Sequence, residues 1–172
     1  MTSIPAPRNP RRKWVIGAGA LAVCLVLTEV ALRVYGLCDP VLYQRSERFG
    51  YEPIPGQTVR PRGIEQRFDE TGYRVPVSSL RRRPHATIAF LGDSVTYGGS
   101  LIPTDDTFVE RLNRALSYSF GILAYNGGVN SYSIAQMANR YMHRLRRDSD
   151  QLVVVFFISQ DWYRAPTKYL LD

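Results

Sequence analysis

The longest apolar pattern in the chain begins at Trp14. From there to Leu27 every residue is apolar or glycine, and residues 30–32 and 34–37 carry the run past Glu29 and Arg33. Counted to Leu37, it reaches the roughly 20 residues that a helix needs to cross a bilayer. Glu29 and Arg33 stand four apart, so they share a helix face and can pair, with the arginine reaching towards the polar surface. Further on, residues 87–91 form a short, partly β-branched apolar run that predicts a buried strand. Residues 122–126 predict a second, and the unbroken run 152–158 predicts a third, buried on both faces. Helical spacing fills the gaps. Thr107, with Glu110 three residues on, predicts a helix cap, followed by Phe108, Leu112, Ala115 and Leu116 on one face. Ile134, Met137, Ala138, Tyr141 and Leu145 predict another helix over residues 134–145. Strand–helix alternation of this kind predicts an α/β domain, a parallel sheet covered by helices.

Between residues 38 and 84 the pattern is broken by Pro40, Pro53, Pro55, Gly56, Pro61, Gly63, Gly72, Pro76 and Pro84, which excludes long helices. Residues 58–60 and 64–68 read as small strands of a hairpin. Asp69-Glu70-Thr71-Gly72-Tyr73-Arg74 reads as a turn leading into an extended segment, and Arg81-Arg82-Arg83-Pro84 as a solvated loop. The chain thus divides into a basic cytoplasmic tail (1–13), a transmembrane signal anchor (14–37), an extended Pro/Gly-rich connector packed beside the domain (38–84) and the α/β domain itself (85–172).

Charge gives this division a direction. The formal charge of +7 is spread over separate groups at 8–13, 60–83 and 140–147. A nucleic-acid reader interleaves basic and aromatic residues in one module, so no nucleic-acid partner is expected. Arg11-Arg12-Lys13, directly before the apolar run, holds that end in the cytoplasm. No small-x-small cleavage site follows Leu27, so an uncleaved anchor is expected rather than a cleaved signal peptide or a helix buried in a soluble domain. The lipid bilayer of the cytoplasmic membrane is then a partner, crossed once, and the rest of the chain faces the periplasm or the exterior. The two cysteines, Cys24 and Cys38, show no metal-ligand spacing, and Cys24 lies inside the apolar run. Neither a disulfide nor a metal is expected, and no cofactor is implied.

Polar and glycine residues gather at the ends of the predicted strands: Gly92-Asp93-Ser94 after the first, the loop from Asn126 to Ser131 after the second, and Ser159-Gln160-Asp161 after the third. In open parallel sheets, sites form where loops leave the carboxyl ends of strands. A serine after Gly-Asp can by itself mark an ordinary turn; three such ends together point to a site. The residues also carry a resemblance. Gly92-Asp93-Ser94-Val95-Thr96-Tyr97-Gly98, Asn126-Gly127-Gly128-Val129-Asn130-Ser131-Tyr132, Ser159-Gln160-Asp161 and, upstream, Thr71-Gly72-Tyr73-Arg74 are similar to elements of the SGNH/GDSL hydrolase family. The likeness is closest to its membrane-anchored bacterial members associated with cell-surface polysaccharides, and it runs from about Trp14 to the last residue. It implies a three-layer α/β/α flavodoxin-like domain and a serine esterase or deacetylase acting on acyl esters of a surface glycan or lipid. By that resemblance Ser94 is the nucleophile. The oxyanion hole combines the N–H of Ser94, an N–H at Gly128 or Ser131 and the amide of Gln160. Gly92, Asp93, Gly98, Asn126 and Asp161 support the motifs.

A serine hydroxyl is a weak nucleophile and needs a base to take its proton, usually an imidazole oriented by a carboxylate. The resemblance stops short there. The family's Asp-x-x-His block is absent, and the only histidines are His85, before the first strand, and His143, within the second predicted helix. Both read as surface or boundary residues. Gln160 stands where the family has asparagine, and Ser131 stands where it usually has glycine. Three visible strands, against about five in a flavodoxin-like sheet, predict an incomplete domain: a truncated reading frame, a fragment or a degenerate homologue. An exposed sheet edge is expected with it. Little or no turnover is therefore expected. The alternative is a non-catalytic membrane-anchored binding or assembly subunit, and a third reading has a partner chain supplying the histidine and aspartate.

Overall fold

The structure, a computed structural model, describes residues 10–37, 39–76 and 84–164. Most of the basic tail, Cys38, the arginine run 81–83 and residues 165–172 lie outside the described residues.

The apolar run forms a single helix, α1 (Pro10–Val34), in which the stretch Lys13–Val34 is long and apolar enough to cross a membrane. None of that stretch is buried against the rest of the protein, and Arg33 Nε pairs with Glu29 at 2.7 Å as its spacing predicts. Gly36 ends the helix. At φ 77° it adopts a left-handed conformation that costs glycine little. Its N–H reaches the Arg33 carbonyl at 3.0 Å while the Leu37 N–H reaches that of Leu32 at 3.1 Å, a Schellman closure.

Beyond α1 come an antiparallel pair, β1 (Tyr43–Ser46) and β2 (Gly50–Pro53), then β3 (Thr58–Val59), β4 (Gln66–Phe68) and β5 (Arg74–Val75). The expected hairpin is present as β3 and β4. Its position differs from the expectation of a neighbour packed beside the domain, because these strands lie in the main sheet. β4 pairs with β5, and β5 joins the sheet through the single antiparallel pair Arg74↔Asn126. The remaining elements are β6 (Ala86–Gly92), the single turn α2 (Ser94–Tyr97), α3 (Phe108–Phe120), β7 (Ile122–Asn126), α4 (Ile134–Arg140) widening into a π turn over Tyr141–Leu145, β8 (Asp150–Phe156) and α5 (Ser159–Tyr163). The result is a mixed six-stranded sheet in the order β3-β4-β5-β7-β6-β8, with β6 parallel to both β7 and β8.

The two helices that connect the parallel strands cover opposite faces, as alternation along the strands requires. Ala89 and Leu91 of β6, with Leu123 and Tyr125 of β7, pack in one core with Met137, Leu145, Tyr73 and Val129. Phe90 and Ala124 point the other way and pack with Val109 of α3. The cap expected at Thr107 is present, its hydroxyl accepting the Glu110 N–H, and the structure adds a reciprocal capping box between Ser133 and Gln136.

Two further expectations are corrected. First, α3 does not bury the face bearing Phe108, Leu112 and Ala115; these are exposed, and Val109, Glu110 and Asn113 are buried. The reason is polar. Asn113 Oδ1 accepts the Ala124 N–H of β7 at 3.0 Å and its Nδ2 donates to Glu110 at 2.9 Å, so the inward face is held by hydrogen bonds. Second, β8 is not buried on both faces. It is the edge strand, with Leu152 at 52% and Phe157 just beyond it at 55% exposure. α3 touches it through Phe108, whose ring meets that of Phe156, and Val154 packs at the Phe90–Val109 cluster, but most of the strand stays exposed. The expected bare edge is therefore present.

Burial of two tyrosines gives a prediction for alkaline stability. Desolvation raises the pKa of Tyr73 and of Tyr132 well above the ordinary value of 10.0. Above that pH the unfolded chain loses phenolic protons that the folded chain keeps. Stability is thus full below 10.0 and falls as pH rises towards the folded values, by about 1.4 kcal/mol per pH unit for each tyrosine. Urea midpoints measured in detergent on either side of that pH will show the slope, and Tyr73→Phe will reduce it.

Candidate active site

The end of β6 is shaped for an exposed side chain on a tight turn. Asp93, 1% exposed, caps α2 by accepting the Val95 N–H at 2.9 Å. The Tyr97 N–H bonds the Asp93 carbonyl at 2.9 Å, the Gly98 N–H bonds that of Ser94 at 3.0 Å, and Gly98 closes the turn in the left-handed region at φ 86°. Ser94 is thereby presented to solvent. Its Oγ contacts Asp93 Oδ2 at 3.4 Å, and as the first residue of the turn its N–H has no intrahelical acceptor. Gly92 is needed for close approach: a Cβ there would lie 2.6 Å from Thr96 Cβ and 2.8 Å from the Phe156 carbonyl oxygen of β8.

The loop after β7 is laid directly on this turn. The Gly127 N–H donates to the Phe90 carbonyl at 2.7 Å and the Val129 N–H to that of Gly92 at 3.0 Å. A Cβ on Gly128 would stand 2.7 Å from the Thr96 carbonyl carbon and 2.8 Å from Tyr97 Cα, so only glycine fits between the two loops. The Gly128 N–H is already donated, to Asn126 Oδ1 at 3.0 Å, while Asn126 Nδ2 is buried without an acceptor among the described residues. Ser131 lies further along the loop, exposed and at φ 63°. Its N–H has no protein acceptor among the described residues. Of the two amides considered for this loop, that of Ser131 is the one without an acceptor among the described residues. The contribution of Gly128 is steric.

After β8, Asp161 is fully buried. Its Oδ2 accepts the Ile158 N–H at 3.0 Å and its Oδ1 accepts from Arg164 at 2.8 Å. Arg164 also stands 3.9 Å from Asp93 Oδ2, so it ties the third strand end to the Ser94 turn. Gln160 is exposed on α5 and makes no side-chain hydrogen bond among the described residues.

Two buried arginines organise the site from outside it, and sequence reasoning missed both roles. Arg74 fastens the segment that follows Ser94. Its Nε donates to Thr104 Oγ1 at 3.0 Å, Nη1 to the carbonyls of Tyr97 at 2.7 Å and Gly99 at 3.0 Å, and Nη2 to that of Ile102 at 2.5 Å. Its guanidinium also lies 4.9 Å from the centre of the Tyr97 ring. The Tyr97 hydroxyl in turn donates to Gln66, whose Nε2 bonds the Ser100 carbonyl at 3.1 Å. Arg140 fastens the second loop, donating to the carbonyls of Gly127 at 3.0 Å and Gly72 at 2.8 Å, with Nε 3.8 Å from the buried Glu52 carboxylate. Burial pulls both guanidinium pKa values below the ordinary arginine value. The sequence signal for Arg74 was its place after Gly72-Tyr73. For Arg140 there was none, because its acceptors are backbone carbonyls distant in the chain.

Neither histidine is at Ser94. His85 precedes β6 and its N–H bonds the Gly121 carbonyl, leaving the seven-residue strand, about 23 Å long, between it and Ser94. His143 is exposed in the π turn beside Arg48 Nη1, where the chain comes back to the start of β8. No cluster of three or more residues able to hold a metal occurs among the described residues. No protein-family model matches the sequence, and no curated protein matches it either.

Proposed function

We propose that this chain is a membrane-anchored serine hydrolase of the SGNH/GDSL type, built to act on acyl esters of a surface glycan or lipid. The observation that carries this reading is the position of Ser94. Counting from β6, the parallel strands run in the order 2-1-3, as in the first part of a flavodoxin-like sheet. The connection from β6 leads to β7 on one side, and the connection from β7 returns past β6 to β8 on the other; ligand crevices form beyond the carboxyl ends of strands where the order switches in this way. Ser94 stands at that point, exposed on a turn in which Asp93, Thr96 and Tyr97 are buried. An acyl carbonyl meeting Ser94 Oγ would develop negative charge on its oxygen. The N–H groups of Ser94 and Ser131 are the donors free to receive it, with Gln160 a longer-armed third.

Proton removal is the weak step. Among the described residues, the one acceptor in contact with Ser94 Oγ is the Asp93 carboxylate, itself engaged by the Val95 N–H. A carboxylate is ordinarily a weaker base than an imidazole by about 2–3 pK units, and a well-placed general base is worth about 10²–10⁴ in rate. The described residues therefore form a nucleophile turn with part of an oxyanion hole and a poor base. Full-length protein in detergent, treated with a fluorophosphonate and read by peptide mass spectrometry, will label Ser94 only slowly. Rapid, complete labelling of Ser94 will show that an effective base is present.

The distance of both histidines from Ser94 also favours a second reading, a membrane-anchored binding or assembly subunit without catalysis. In either case α1 supports a single crossing. Arg11, Arg12 and Lys13 favour a cytoplasmic N-terminus and an outward-facing sheet domain.

A further inference from the structure

We infer that Arg62 contacts the phosphate of an anionic lipid, seating the sheet domain on the bilayer surface, an inference that rests on α1 being the membrane anchor. Trp14, near the start of α1, and Tyr35, just past its end, are both exposed and separated by about 32 Å of helical rise, close to the thickness of a bilayer core of about 30 Å. Aromatic residues of this kind mark the two membrane–water interfaces. The outer interface then lies at Tyr35, Gly36 and Leu37.

The folded domain reaches that level without a linker. The Gly36 carbonyl accepts the Arg62 N–H at 3.0 Å, and a Cβ on Gly36 would fall 2.8 Å from the Gly63 nitrogen. The turn Pro61–Gly63 is thus in backbone contact with the end of the anchor. At this level Arg33 is paired with Glu29, and Arg60 is paired with Glu65 through two bonds of 2.9 and 2.6 Å. Arg62 is exposed, with no carboxylate partner among the described residues. It also holds a left-handed backbone, φ 53°, ψ 38°, that glycine would adopt more easily. Strained conformations at exposed positions cluster where a side chain has a task. A cationic fork at headgroup depth, without a carboxylate partner among the described residues, suits the phosphodiester oxygens of a lipid whose headgroup carries no cation of its own.

The test uses the full chain, Cys38→Ser, in nanodiscs of phosphatidylcholine alone and of phosphatidylcholine with phosphatidylglycerol. Amide exchange of residues 62–64 is expected to be about fivefold slower with the anionic lipid, the factor for about 1 kcal/mol per surface arginine. Arg62→Gly, which suits the local backbone, is expected to lose this difference. Inorganic phosphate added to the phosphatidylcholine discs is expected to have no effect. Equal exchange in both lipids, unchanged lipid dependence in Arg62→Gly, or protection by free phosphate alone would each overturn the inference. Cys24, exposed on α1, reports separately on the anchor. Its protection from an impermeant maleimide supports the spanning helix, and its labelling removes the anchor reading and the inference with it.

Discussion

Arg140→Ala is expected to destabilise the protein by about 3–5 kcal/mol, the cost of leaving a buried charge without its partner. Glu52 is 5% exposed, and its Oε2 has no hydrogen bond of its own. It is held by Arg140 at 3.8 Å and by the more exposed Arg144 at 3.7 Å, while Gln44 donates to its other oxygen at 2.8 Å. Truncation also leaves the carbonyls of Gly72 and Gly127 without their donors. Urea midpoints in detergent check the loss. The double variant Arg140→Met with Glu52→Gln is expected to recover part of it, because the stranded charge is gone and the volume is partly refilled. A loss below 1 kcal/mol in Arg140→Ala would mean that Arg144 takes over the pairing, and that Arg140 does not clamp the second loop.

Gly128→Ala is expected to damage the site more than the fold. The added methyl would meet backbone atoms of Thr96 and Tyr97, which cannot swing aside as a side-chain tip can. Overpacking of this kind costs about 1–3 kcal/mol. The Ser94 turn or the second loop must shift, and a displacement of about 1 Å between reacting groups can cost 10²-fold in rate. Thermal melting is expected to show a modest loss of stability, while peptide-resolved fluorophosphonate labelling shows loss of whatever reactivity Ser94 has. Wild-type labelling in this variant would mean that the contact between the two loops does not set the geometry of Ser94.

The parts of the fold that could be read from sequence are those with a local cause. The strand at 122–126 and the cap at Thr107 rest on residues within one turn or one strand of each other. Residues placed by distant partners were less legible. The apolar run ending at Ile158 has the composition of a central strand, yet nothing in its own pattern says that β8 will lie at the edge. Asn113 and Glu110 look like solvent positions until the Ala124 N–H is found opposite. The join between the connector and the sheet depends on a single residue pair, Arg74↔Asn126. The site follows the same division. Gly92, Asp93, Ser94 and Gly98 form one contiguous turn and were visible as a motif. Arg74, Arg140 and Arg164 act across long sequence distances on carbonyls and carboxylates, and a sequence does not display those acceptors. Gly128 was visible as a glycine, but its steric role emerged only with Tyr97 beside it.

The central proposal is that Ser94 occupies a formed nucleophile site with no effective base among the described residues. Added imidazole supplies that missing group from solution, so the decisive measurement is the rate of fluorophosphonate attachment to Ser94 with and without imidazole. Ser94→Ala serves as the blank. The account predicts slow labelling that imidazole accelerates by about tenfold or more, at Ser94 and nowhere else. Absence of Ser94 labelling even with imidazole would contradict a formed nucleophile site, and fast labelling without it would contradict the missing base.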